Sequence, residues 1–168
     1  MVLSVLTAML GAMLLPDDRE AIALKVAAQG LPECRMYHAD GSEGPCLPNF
    51  TVTRGKAVNS RSLAGQIAFT HGATTRLSDD EFALLAGHEI AHWYLGHRGS
   101  SVEAELAADR LGALLACRAG YDLTRAVSIF RFVGRGRDHP APALRRAAVL
   151  AVDCQGPRPL GTPAMHSR

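Results

Sequence analysis

Residues 87–97 read GHEIAHWYLGH, placing His88, Glu89, His92 and His97 within eleven positions of an otherwise largely apolar run. A helix brings residues four apart round to one face, one turn apart, so His88 and His92 can aim their imidazoles at a single point. With Glu89 beside the first ring, the segment has the H-E-x-x-H pattern. In that pattern two neutral imidazoles hold Zn²⁺ and the glutamate takes a proton from the water on the metal. Whether this stretch is a helix decides the fold, because the elements on either side are then fixed by its two ends.

Ser78 followed by Glu81 is a capping box directly before the apolar run FALLAGHEIAHWYL, so the helix should start near Asp79, and Gly96 should end it. A second capping box, Ser100 with Glu103, is expected to open the helix VEAELAADRLGALLACRA, which Gly120 closes. The short connection makes the two helices an antiparallel hairpin. That hairpin places Glu105 at the height of His92. A catalytic zinc takes three protein ligands and leaves its fourth position to water, so Glu105 is the expected third ligand. Glu105, Asp109 and Gly112 share one face at spacings of four and seven residues. Asp109 can accept a hydrogen bond from the far nitrogen of a ligand histidine, and Gly112 allows the helices to approach closely. Without a metal, two buried carboxylates facing this helix would be costly. His97 is expected to be a helix-end residue that favours the dipole, not a ligand.

Upstream, DDREAIALKVAAQG after Pro16 has the acids, apolar spacing and closing glycine of a short helix, and residues 31–48 form a loop region. NFTVT and GQIAFTHG are expected to be strands, the second bounded by Gly65 and Gly72. Strands preceding helices give an α+β class: a small N-terminal sheet followed by a helical part. Asp122 should cap a third helix through about Val133, GRGRDHPAP is a loop, and Ala143 to Val152 a final short helix. The expected organisation is an apolar segment at 1–16, one domain at 17–154 and an unstructured tail at 155–168.

At 168 residues and 48% hydrophobic, the chain suits one core. A formal charge of +2, with no basic run interleaved with aromatics, argues against nucleic acid and leaves peptides or proteins as partners. The cluster Arg131, Arg135 and Arg137 is expected to be a solvated face. Cys34, Cys46, Cys117 and Cys154 lack C-x-x-C spacing, which argues against a cysteine-ligated zinc. In an oxidising compartment they could pair as Cys34–Cys46 and Cys117–Cys154, although four cysteines allow three connectivities. Residues 1–15, MVLSVLTAMLGAMLL, carry no charge. They suit an export signal or its remnant, a membrane anchor, or a buried first helix, and any membrane association would run through them.

The order HEIAH, ELAAD, RLG and AGYD, then His139, Pro140 and Arg145, resembles metallopeptidase family 48 over about residues 50–150. These are the HtpX- and BepA-like gluzincins related to CaaX prenyl proteases. The resemblance implies a gluzincin-like domain with one Zn²⁺ held by His88, His92 and Glu105, Glu89 as catalytic base and Asp109 behind a ligand. It also implies that His139 gates the site or touches substrate. Arg145 would bind substrate, anchor the His-Pro loop or pair with a carboxylate. GQIAFTHG resembles the edge strand that receives an extended substrate, so Gln66, Ile67 and Ala68 are expected to bind peptide. The multiple spans of HtpX-like members are absent, so a periplasmic or envelope protein, exported or singly anchored, is expected, with a cytoplasmic location still open. The chain departs from the pattern in its short interval between His92 and Glu105, in Asp138 where threonine is common, and in Ser60 after Asn59 where alanine is usual. The expected function is that of a zinc metalloendopeptidase acting on unfolded or envelope proteins. The alternatives are an ImmA/IrrE-like regulatory zinc peptidase, against which Ala108-Asp109 stands in place of Ala-Asn, and a zinc-containing chaperone-like module with little turnover.

Overall fold

A computed structural model of the chain describes residues 15–29, 35–37, 43–45, 47–63, 66–132 and 139–156. Outside them lie the apolar segment 1–14, a Cys34–Cys46 pairing, Gly65, Arg135, Arg137, Asp138 and the tail from 157 onward. Among the described residues, no helix is long and apolar enough to cross a membrane.

Helix α1 (Asp17–Ala27) starts with acids and ends with Lys25, matching its dipole. Its buried Arg19 donates to the carbonyls of Thr74 at 3.0 Å and Leu77 at 2.8 Å, and pairs with Asp79. These bonds tie α1 to the start of the helical hairpin. A small antiparallel pair, β1 (Arg35–Tyr37) and β2 (Glu43–Pro45), follows.

The main sheet consists of β3 (Asn49–Thr53), β4 (Ser60–Leu63) and β5 (Gln66–Thr70), in the order β3-β5-β4. β3 runs parallel to β5, with Asn49 opposite Gln66, and β4 runs antiparallel to it, with Ser60 opposite Phe69. This order corrects the sequence expectation for GQIAFTHG. Its strand is central, so the backbones of Gln66, Ile67 and Ala68 are paired on both sides and cannot take up an added peptide strand. The strand at that edge is β4, which SRSL conceals because it shows no apolar alternation. β5 also ends sooner than expected. Thr70 caps helix α2 (His71–Arg76) by accepting from Ala73 N at 3.2 Å, and Gly72 is required because a Cβ there would lie 2.3 Å from Lys56 O.

Helix α3 (Asp79–Leu95) begins with the expected capping box: Glu81 N donates to Ser78 Oγ at 3.3 Å, and Ser78 N to Glu81 Oε2 at 2.9 Å. Gly96 ends it in the left-handed region at φ 67°. Helix α4 (Val102–Arg118) is capped one residue later than expected: Ser101 Oγ accepts from Ala104 N at 3.1 Å, and Glu103 is not in a capping box. α3 and α4 cross almost backbone to backbone. A Cβ on Gly87 would lie 2.4 Å from Gly112 O, and one on Gly112 would lie 2.5 Å from His88 N. An alanine at either position would force the helices apart beside the first histidine.

The third helix is shorter than expected: α5 (Leu123–Ala126), capped by Asp122, tightens into a 3₁₀ turn over Val127–Arg131. Two side chains of that turn, Ser128 and Arg131, reach Glu81, so Arg131, half exposed to solvent, is also an ion-pair partner. α6 (Pro142–Leu150) starts on its proline, and Cys117–Cys154 links α4 to the segment after α6. One apolar cluster runs from Leu15 to Val149, with Ile67, Phe69, Phe82 and Ile90 fully buried at its centre.

Candidate metal centre

The hairpin brings His88 and His92 of α3 opposite Glu105 in the first turn of α4. His88 Nε2 and His92 Nε2 are 3.0 Å apart; Glu105 Oε2 lies 3.6 Å from the first, and Oε1 lies 3.5 Å from the second. One ligand atom from each of the three lies within 4.8 Å of the others, so the expected triad is assembled. Two nitrogens about 2.0–2.1 Å from a tetrahedral ion stand about 3.3 Å apart, close to the observed spacing. The donor set fits a divalent cation in a second way. Glu105 is only 3% exposed, and its Oε2 has no hydrogen-bond partner. A buried carboxylate oxygen left without a donor costs free energy unless a cation meets it; Arg145 Nη1, 3.6 Å from Oε2, meets it in part, and a metal ion between the three ligands would meet it directly.

Behind the first ring stands Asp109, as expected, with Oδ1 3.0 Å from His88 Nδ1. Asp109 is gripped in turn by Arg145, whose Nε donates to Oδ2 at 2.8 Å and Nη2 to Oδ1 at 2.6 Å. This geometry selects a tautomer. If His88 Nε2 is to offer a lone pair, Nδ1 carries the proton and donates to Asp109, and the Arg145 nitrogen 3.2 Å from Nδ1 is a neighbour only. Arg145 is 6% exposed, with Nε and Nη2 on Asp109 and Nη1 3.6 Å from Glu105 Oε2, so it is not presented to substrate. Of the roles the resemblance implied, it has the one that pairs with a carboxylate.

The second ring is held differently. His92 Nδ1 lies 2.9 Å from His97 Nδ1, just past the left-handed Gly96, so His97 stands behind a candidate ligand in addition to ending the helix. Burial and the charge of His92 lower the His97 pKa against the pull of Glu105, leaving a neutral ring able to accept from His92. Ser100 Oγ donates to Glu105 Oε1 at 3.0 Å. His139 comes to the same carboxylate, with Nδ1 3.1 Å from Oε2 and its side chain half exposed.

Burial alone would raise the pKa of Glu105. The His92 hydrogen bond, the charges of both rings and the Ser100 hydroxyl outweigh it and hold the group below the usual carboxylate range. Asp109 is likewise lowered against burial, by its bonds to Arg145 and His88. Both acids are therefore anionic at neutral pH, as ligand and orienter must be.

Glu89 is 6% exposed and accepts a 2.7 Å hydrogen bond from Ser60 Oγ of β4. Sequence reasoning gave Ser60 no role, assigned Ser100 to a helix cap instead of to Glu105, and missed what His97 does. A histidine five residues past the second ligand was a usable signal for His97, whereas only the strand order reveals Ser60. The arrangement as a whole can hold one divalent cation between His88, His92 and Glu105. No protein-family model matches the chain, and no curated protein matches it.

Proposed function

We propose that the chain is a zinc-dependent metalloendopeptidase of gluzincin type that hydrolyses peptide bonds in unfolded or envelope proteins. The observation that carries this reading is the Glu105 carboxylate: buried, with one oxygen lacking a hydrogen-bond partner, and within 3.6 Å of two imidazole nitrogens. When bound, zinc supplies a Lewis acid and lowers the pKa of its water. His88, His92 and Glu105 hold the ion, while Asp109 and Arg145 fix the ring of His88. Glu89 takes the proton of the attacking water and returns it to the leaving amine. The outer edge of β4, unpaired among the described residues, is suited to take an extended peptide as an added strand, which would run past Ser60 and hence past Glu89. The Cys117–Cys154 bond supports an oxidising compartment, in keeping with export to the envelope.

Glu89→Gln separates binding from chemistry. The variant is expected to hold zinc as wild type does while losing about 10²- to 10⁴-fold in casein cleavage; full activity in that variant removes Glu89 from the mechanism. A second reading, a zinc-containing module with little turnover, draws on His139, which stands against the third ligand. It predicts zinc without cleavage in wild type, and cleavage that appears in His139→Ala.

A further inference from the structure

We propose that Ser60 is a positioning residue for the general base, holding one oxygen of Glu89 so that the other is presented to the attacking water. The proposal rests on the peptidase reading above. Glu89 has rotatable bonds between its carboxylate and α3, and the helix fixes only its Cα. A general base must be aimed before it can act, because proton transfer requires hydrogen-bond reach of the water. Ser60 Oγ, 2.7 Å from Glu89 Oε1, supplies the aim from a different element. A hydroxyl donates one proton, and a carboxylate accepts in a preferred direction, so the bond fixes the carboxylate plane as well as its position.

The hydroxyl is itself held in place. Ser60 N donates to Asn59 Oδ1 at 2.9 Å, and Asn59 O accepts from Thr70 N at 3.0 Å. Asn59 N donates to Thr70 Oγ1 at 3.1 Å, and that hydroxyl also caps α2 through Ala73 N. β4 thus starts at a corner bolted to the end of β5, and the partly buried Ser60 is the first residue beyond it. An edge strand with one hydroxyl aimed at the neighbouring helix has a reason for its polarity. The serine also lies along the edge where a peptide would pair, so base and substrate would be positioned by the same strand.

The test measures fluorogenic-casein kcat and KM, zinc affinity by chelator competition, and affinity for a peptide hydroxamate, on the full zinc-loaded chain. It compares wild type, Ser60→Ala, Ser60→Thr and Glu89→Gln. Threonine keeps the hydroxyl and suits a strand. Ser60→Ala is expected to lower kcat about tenfold and to weaken hydroxamate binding, with KM and zinc affinity within about twofold of wild type. Ser60→Thr restores most of the loss. The proposal is overturned if kcat in Ser60→Ala stays within about twofold of wild type. It is equally overturned if zinc affinity falls in step with kcat, or if Ser60→Thr is as deficient as Ser60→Ala. A wild type that does not cleave, or a Glu89→Gln that cleaves fully, sinks the peptidase reading and takes the proposal with it; normal Glu89 dependence with an indifferent Ser60 sinks the proposal alone.

Discussion

Glu81 and Glu105 are the same residue type on adjacent helices, each 3% exposed and each held with a lowered pKa, yet their surroundings differ in kind. Glu81 is fully answered: Ser78 N donates to Oε2, Ser128 Oγ to Oε1 at 2.5 Å, and the Arg131 guanidinium pairs with both oxygens. Glu105 receives one hydroxyl on Oε1 and faces the two imidazoles, while its Oε2 has the ion-pair neighbours His139 Nδ1 at 3.1 Å and Arg145 Nη1 at 3.6 Å but no hydrogen-bond partner. The comparison teaches that a structural acid and a ligand acid are told apart by what they lack, not by burial or pKa. Asp109, with both oxygens in the Arg145 fork, sides with Glu81 although it stands inside the site.

The largest effect is expected where an answered acid loses its answer. Arg145→Ala leaves Asp109 buried without its cation, and should destabilise the metal-free chain by about 3–5 kcal/mol in urea unfolding. Adding Asp109→Ala should recover part of that loss; a single variant as stable as wild type would show that the fork does not hold the helices.

Next in size is the pH dependence of the Glu81 end. Burial opposes ionisation there, but the bonds from Arg131, Ser128 and Ser78 bring the pKa from 4.5 down to about 2. A depressed carboxylate stabilises the fold above its unfolded pKa. This contribution is therefore complete above about pH 4.5 and lost as the pH falls toward 2. Because Arg131 is half exposed, about 2 kcal/mol is expected, less than the whole shift implies. Glu81→Gln should flatten the stability profile over that window, and an unchanged acid limb would contradict the assignment.

The smallest effect sharpens the ligand side. His97→Ala removes the partner of the His92 ring, and zinc affinity should fall about tenfold, with urea stability of the metal-free chain within about 1 kcal/mol of wild type. Unchanged affinity would return His97 to the role of a helix-end residue alone.

Much of this contrast was legible in the sequence, because helical spacing is local. His88, His92, Glu105, Asp109 and Gly112 follow from a period of 3.6 and one short hairpin, and Ser78-Glu81 and Gly96 mark the ends of α3. The failures lie where pairing is non-local or local signals tie. Adjacent Ser100 and Ser101 are equal candidates for a cap, and the first is drawn off by Glu105. The order of three strands depends on which edges meet, so β5 was read as an edge and the polar β4 was not read as a strand. Arg145 looked available to substrate because nothing in its own neighbourhood foretells its burial against Asp109.

Zinc stoichiometry and affinity, compared between wild type and Glu105→Ala, test the central claim most directly. Wild type should bind one zinc per chain, while Glu105→Ala should bind at least about 100-fold more weakly with its fold and metal-free stability retained. Equal zinc binding by the two proteins would contradict the assignment of Glu105 as a ligand, and with it the proposed hydrolytic centre.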